Sequence, residues 1–280
     1  MKRETITSAS NPKIKNLLLL QEKSRARREQ GLFVVEGRRE LEHCLEGGYD
    51  VRTVFLCPEI AGSAEEAVPG AFARTGSRSD AEGTASSAGP VLIEIPETLY
   101  RKVAYRDSTE GIIAEVGYKA LTLEDLSLPE NPLIVVLEAV EKPGNLGAVL
   151  RSADAAGADA VLVCDPLTDL YNPNLIRASI GAVFTVPVVA VSSRDAIDFL
   201  LARGIRILTA QLQDSSLYYD VDMTSGTAIV MGTESTGLTP AWRAAATSHI
   251  RIPMLGRLDS LNVSVSAAIL LFEAVRQRNA

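Results

Sequence analysis

The feature that most limits what this chain can fold into is a series of short apolar runs in its second half, of which Leu133-Ile134-Val135-Val136-Leu137 is the clearest. A strand with one face in water alternates apolar and polar residues. This run has no polar member, so both of its faces must be covered. Comparable runs stand at 160–164, 186–191, 205–210, 228–231 and 250–254. Helical patterns fall between them at 146–156, 194–203, 240–246 and 263–278. The last carries Ala267, Leu270, Leu271, Ala274 and Val275 at helical spacing. This alternation predicts an α/β fold with a mostly parallel sheet and helices on both faces.

The first half reads as a smaller α/β unit. Residues 8–20 read as a polar start followed by a helix with Ile14, Leu17 and Leu18 on one face, and a basic stretch comes next. Strands follow at 32–35, 51–56, 91–95 and 112–116, with helices at 38–45 and 97–103. Residues 61–90 are rich in Ala, Gly, Ser and Glu without apolar periodicity, which reads as a long surface excursion. The expected organisation is a small domain over 1–118, a linker over 119–131 and a larger domain over 132–280.

A net charge of -7 does not mark a chain that binds nucleic acid by bulk charge. The charge is uneven, however. Residues 1–30 carry Lys2, Arg3, Lys13, Lys15, Lys23, Arg25, Arg27 and Arg28 against Glu4, Glu22 and Glu29. Such a segment either meets phosphate or forms a solvated helical face. Cys44, Cys57 and Cys164 are odd in number and contain no CxxC pair, which argues against a disulfide framework or a zinc site. The polar start and the lack of any run of membrane-spanning length lead to an expectation of the reducing cytoplasm, away from membranes.

Three strand-end loops carry the candidate chemistry. In the first, Asn145 reads as the N-cap of a helix beginning at Leu146. Arg151 follows Gly147 by four residues, so its guanidinium leans over a position without a side chain, or else it is an ordinary surface arginine. The second loop, Met231 to Leu238, has glycines at P-loop spacing, but Leu238 stands where that motif requires Lys. No GxGxxG follows any strand, so neither common nucleotide-binding motif is present. Glu234 in this loop is either incidental or orients a neighbour. The third loop places Ser260 and Asn262 at the start of the last helix, whose first turn holds Ser264, Ser266, Ala267 and Ala268. Small residues there suit the close approach of another element. Open α/β sheets bind ligands at their carboxyl edge, where all three loops should gather. The residues alone describe a ligand site with Asn145, Arg151, Glu234, Ser260 and Asn262, without naming the ligand.

Asn145-x-Gly147-x3-Arg151, Gly232-x-Glu234-x2-Gly237-Leu238 and Ile252-Pro253-Met254 with Ser260-Leu261-Asn262-Val263-Ser264 resemble, in order, the three motifs of the SpoU (TrmH) RNA methyltransferases of the SPOUT superfamily. The stretches 169–173 and 177–181 are also similar to segments of these enzymes. Residues Ser8-x2-Asn11-Pro12 and Phe33-Val34-Val35-Glu36-Gly37 resemble their ribosomal-protein-like RNA-binding domain. Lys142, before Pro143, departs from the Asp of many members and bears on the RNA target.

The resemblance implies a trefoil knot in the second domain and S-adenosylmethionine as cofactor, held by Gly232, Ile252, Met254 and Leu261. It implies methyl transfer to a ribose 2′-hydroxyl of ribosomal or transfer RNA, with ribosomal RNA favoured. Arg151 matches the arginine proposed to activate that hydroxyl. Because a guanidinium keeps its proton, a clamp on phosphate and forming alkoxide is the favoured role. Asn145, Glu234, Ser260 and Asn262 would shape the site, with Glu234 orienting Arg151. No metal is required. Further expectations are RNA contact through Lys23, Arg25, Arg27 and Arg28, and a homodimer through the second domain, to which Leu271, Phe272 and Val275 would contribute. Two other readings compete: a catalytically inactive RNA-binding assembly factor with the same fold, and an unrelated nucleotide-binding enzyme. The intact motif residues count against the first, and Leu238 against the second.

Overall fold

The computed structural model describes residues 2–63, 89–105, 110–233 and 236–280. They form two compact units, one of residues 1–119 with 171–176, the other of 120–170 with 177–280. Most of the excursion expected at 61–90 lies outside the described residues.

The first unit runs β1 (Arg3–Thr5), α1 (Pro12–Glu22), α2 (Ser24–Gln30), β2 (Leu32–Glu36), α3 (Arg38–Glu46), β3 (Val51–Leu56), α4 (Pro58–Ala61), β4 (Val91–Glu94), α5 (Glu97–Val103) and β5 (Ile112–Gly117). Helix α1 begins at Pro12, after the polar start of the chain. Asn11 caps it by accepting from the Lys13 N–H at 2.9 Å, and Pro12 takes the first helical position, where no N–H is needed. The basic stretch is itself a helix, α2, closed by Gly31 at φ 61°. The sheet has the order β1-β4-β3-β5-β2, with β5 antiparallel to both of its neighbours. Ile14, Leu17 and Leu20 of α1 and Leu99, Tyr100 and Val103 of α5 pack with Val34, Phe55, Ile93 and Ile113 from the strands. Tyr171 joins this unit because its ring stacks on Phe33 at 4.1 Å between centroids, and its hydroxyl donates to the Lys119 carbonyl at 2.5 Å.

The second unit contains β6 (Leu133–Glu138), α6 (Pro143–Ala155), β7 (Ala160–Cys164), α8 (Ala182–Thr185), β8 (Val188–Val191), α9 (Ser193–Ala202), β9 (Arg206–Ala210), β10 (Ser216–Leu217), β11 (Thr227–Met231), α10 (Pro240–Ala245), β12 (Ser248–Arg251) and α11 (Val263–Arg278). A helix α7 (Pro173–Ser179) spans the point where the two units divide. The sheet has the order β10-β12-β9-β11-β6-β7-β8, and each of its pairings is parallel. All of β6 is buried, as its unbroken apolar run requires. Ile134, Val136, Leu162, Ile207, Ala228 and Val230 pack with Phe199, Leu200 and Trp242 of α9 and α10. The alternate residues Val135, Leu137, Val161, Val163 and Ile229 are equally buried and point to the other face. Helices α6 and α11 pack against one another, and α11 also meets β11.

Three expectations shift in this unit. Residues 121–128 do not form a free linker: Leu121, Leu126 and Leu128 pack around the core cluster that holds Leu123. Helix α6 begins at Pro143, so Lys142 is the N-cap and Asn145 stands inside the first turn. Strand β12 ends at Arg251, before Ile252-Pro253-Met254, because Pro253 has no N–H to give to a ladder. The last helix is tied down by Arg278, which donates to the carbonyls of Asn131 at 2.8 Å, Pro132 at 3.1 Å, Met223 at 2.9 Å and Ser225 at 2.8 Å.

Arg27 illustrates how misleading a charge run can be. It is 2% exposed and donates to the carbonyls of Leu20 at 2.7 Å and Gln21 at 3.1 Å, satisfying the end of α1. Its charge is therefore not presented to a nucleic acid. Replacing it leaves those buried carbonyls without their donor. We expect Arg27→Ala to lower stability by about 2–4 kcal/mol, read as the midpoint of urea unfolding. A change below about 0.5 kcal/mol would show that the buried guanidinium does not brace α1.

Candidate active site

A cavity of about 390 Å³ opens at the carboxyl ends of β9, β11 and β12. Gly232, Ile252, Met254, Leu261 and Ser260 all line it, although they come from two loops. Gln211, Arg243, Arg251 and Asp259 also line it and were not singled out in the sequence. The end of β9 was foreseen, but a glutamine after a strand carries no pattern of its own.

The loop after β11 turns back on itself, with Thr233 bridging Gly237. A Cβ on Gly232 would lie 2.3 Å from the Gly237 carbonyl oxygen and 2.7 Å from the Leu238 nitrogen. Both are backbone atoms that cannot swing aside. Glycine at 232 is thus a steric condition for the loop that walls the cavity. Gly237 sits at φ 68°, a left-handed turn that glycine adopts without strain. Glu234 lies outside the described residues.

The first and third loops meet through two asparagines. Asn262 caps α11, accepting from the Ser264 N–H at 3.0 Å and from its hydroxyl at 2.6 Å. Its amide nitrogen donates to Asn145 Oδ1 at 3.1 Å, joining residues 117 apart in sequence. Arg151, two turns along α6, is exposed and follows the buried Gly147 by one turn. Among the described residues it makes no hydrogen bond or ion pair, and it does not line the cavity. Ser260, at the cavity wall, is exposed and donates to Asp259 Oδ1 at 3.4 Å.

Sequence reasoning passed over Glu138, a lone charge at the end of an apolar strand. It is 3% exposed and accepts from Thr239 and Ser193. A carboxylate inside an otherwise apolar run is the signal that would have found it. Nearby, burial pushes the Cys164 thiol above its ordinary range, with Asp165 and Glu138 adding to the effect, so it is not a nucleophile. Among the described residues, no group of three or more His, Cys, Asp or Glu is placed to hold a metal ion.

A parallel α/β sheet with a ligand-sized cavity at its carboxyl edge, where an asparagine pair ties two of the edge loops together, defines a small-molecule-binding site of an open α/β protein. Residues 132–272 match the SpoU rRNA Methylase family, and residues 11–114 match the MRM3-like substrate binding domain. The chain is 31% identical over 259 residues to the 23S rRNA (uridine(2479)-2′-O)-methyltransferase of Streptomyces viridochromogenes, covering 90% of this chain and 85% of that one. A crystal structure of an RNA 2′-O ribose methyltransferase superposes with TM-score 0.80 at 38% identity, covering 99% of this chain and 100% of the other. An AdoMet-bound rRNA methyltransferase from Sinorhizobium meliloti gives 0.85 at 28% identity, covering 98% of each chain. The chain belongs to the SpoU rRNA methylase family.

The glycine geometry yields a direct test. Gly232→Ala should open the loop and weaken S-adenosylmethionine binding by more than roughly tenfold, because a backbone clash cannot be relieved by a rotamer change. Isothermal calorimetry reads this, and unchanged affinity would show that the loop is not the cofactor wall.

Proposed function

We propose that this protein transfers a methyl group from S-adenosylmethionine to a ribose 2′-hydroxyl of ribosomal RNA. The observation that carries the reading is the Asn262 to Asn145 hydrogen bond, which joins the catalytic and cofactor loops of a SpoU-family fold beside the cavity. The cavity volume, about 390 Å³, lies within the roughly 300–1,000 Å³ of small-molecule sites. Its wall combines glycine backbone, apolar Ile252, Met254 and Leu261, and the charged Arg243, Arg251 and Asp259, a donor set suited to an adenosine bearing an amino acid.

When bound, S-adenosylmethionine supplies an electrophilic methyl group on a sulfonium. The chain's own residues must then position a poorly nucleophilic hydroxyl and stabilise the charge that grows on it. Arg151 clamps the neighbouring phosphate and that developing charge; its guanidinium stays protonated and serves no base role. Its exposure leaves the planar fork open to RNA. Asn145 and Asn262 hold α6 and α11 in register, so that the hydroxyl and the cofactor wall keep a fixed separation. Ser260 stands at the cavity wall, and Glu234 orients Arg151. The ribose oxygen would gain the methyl group as the methyl's bond to the sulfonium sulfur breaks, leaving S-adenosylhomocysteine as the neutral thioether, and the hydroxyl proton would leave to solvent.

Several finer readings accompany this one. The second domain carries a trefoil knot, supported by the small residues at the start of α11 and by the tight turn at Gly232. The first unit binds RNA through Lys23, Arg25 and Arg28, which are exposed, in keeping with its substrate-binding-domain match. The second unit forms a homodimer. Leu271 is core and takes no part, but Phe272 is 48% exposed and Val265, two turns before it on the same face, 47%. The enzyme is cytoplasmic, in keeping with three free, buried cysteines. Among the described residues no helix is long and apolar enough to cross a membrane. The inactive assembly-factor reading is less well supported, since Asn145 and Asn262 are retained and bonded.

Arg151→Ala should slow single-turnover methyl transfer at saturating RNA by on the order of 10²–10³ while leaving cofactor affinity near wild type. Arg151→Lys keeps the charge and loses the fork, and should be nearly as slow. A wild-type single-turnover rate in Arg151→Ala would remove the arginine from the mechanism.

A further inference from the structure

The methyltransferase reading accounts for the three motif loops but not for the buried carboxylate behind them. Glu138 is the last residue of β6, is 3% exposed, and makes no ion pair among the described residues. Its charge is met by hydrogen bonds alone. The Thr239 N–H donates to Oε2 at 2.8 Å, the Thr239 hydroxyl to Oε1 at 2.7 Å, and the Ser193 hydroxyl to Oε1 at 3.3 Å. Ser193 Oγ in turn accepts from the Trp242 indole N–H at 3.0 Å. Burying a carboxylate is costly, and an apolar side chain would pack a strand end at least as well. A purely architectural need is therefore a poor reason for a glutamate here.

What the carboxylate joins is informative. Thr239 closes the loop that begins at Gly232, and Leu238, one residue earlier, lines the cavity and is 5% exposed. On the other side of Glu138 the chain turns at Ala139, left-handed at φ 51°, and leads into α6 with Asn145 and Arg151. One side chain thus ties the far end of the cofactor loop to the root of the catalytic helix. An in-line transfer tolerates little error in the separation of its two reactants. Resting on the methyltransferase reading, we propose that Glu138 is a positioning residue for methyl transfer, fixing the loop at 232–239 relative to the helix that carries Arg151.

The chain contains a single tryptophan, Trp242, which is fully buried and belongs to this hydrogen-bond chain, so its emission reports on the link. Thr239 is exposed, so Thr239→Val removes one bond to the carboxylate without touching the core. Glu138→Gln keeps the shape but turns one acceptor into a donor, so the three donors can no longer all be met. Thr239→Ser retains both contacts and serves as the rescue. The full-length wild type and these variants are titrated with S-adenosylhomocysteine by calorimetry and by Trp242 emission, and then assayed for single-turnover transfer.

Thr239→Val and Glu138→Gln should remain folded and bind S-adenosylhomocysteine roughly tenfold more weakly, the scale of one lost hydrogen bond to a charge. Their Trp242 emission change on binding should be lost, and Thr239→Ser should restore both signals. The proposal is overturned if both variants bind and react like the wild type. It is also overturned if both unfold, which would make the carboxylate a core brace. A wild type that itself fails to bind S-adenosylhomocysteine removes the methyltransferase reading, and this inference with it, and is distinguishable because it precedes any variant.

Discussion

Parallel strands cannot be joined by hairpins; each must be left at one end of the sheet and re-entered at the other. In the second unit that constraint holds across all seven strands, so the segments leaving β6, β9, β11 and β12 emerge along one edge. The cavity lies at the ends of three of those strands, and its neighbouring asparagine pair begins at the fourth. Burial of both sheet faces makes this edge the place where loops are free to carry function. The helices fix the strands, and the strands fix where the loops must be.

Within that frame the site depends on backbone proximity more than on charge. The loop from Gly232 folds so closely on Gly237 that no side chain fits between them. Asn262 spends one end of its amide on capping α11 and the other on Asn145, so the last helix and the helix of Arg151 are registered by the same residue. Glu138 supplies a second registration from behind, through Thr239. A substrate hydroxyl and a methyl donor held by separate loops need such cross-links, because α/β loops have no hydrogen-bond ladder of their own to hold them.

Much of this was legible in the sequence where burial dictates pattern. The strands at 51–56 and 160–164 and the helices at 97–103 and 263–278 have the bounds their apolar runs implied. Strands β1 and β10 were not legible, since each is two or three residues long and exists only through its partner. The start of α6 was misread because Asn145 was taken as a cap while Pro143, suited to the first helical position, was passed over. Arg27 shows a second limit. It sits in a stretch whose composition suggests a surface, and only the packing of its helix turns it inward. The four positions implied by the resemblance to hold the cofactor do line one cavity, yet spacing alone could not have brought residues 232 and 261 together.

The central claim is the identity of the methyl acceptor. The full-length protein, given S-adenosylmethionine labelled in its methyl group and protein-free ribosomal RNA, transfers label that can be located after digestion to nucleosides. Label on a 2′-O-methylated ribose, absent without the protein, is the predicted result. Label on a base, or no transfer to any ribosomal RNA despite bound cofactor, would contradict the account.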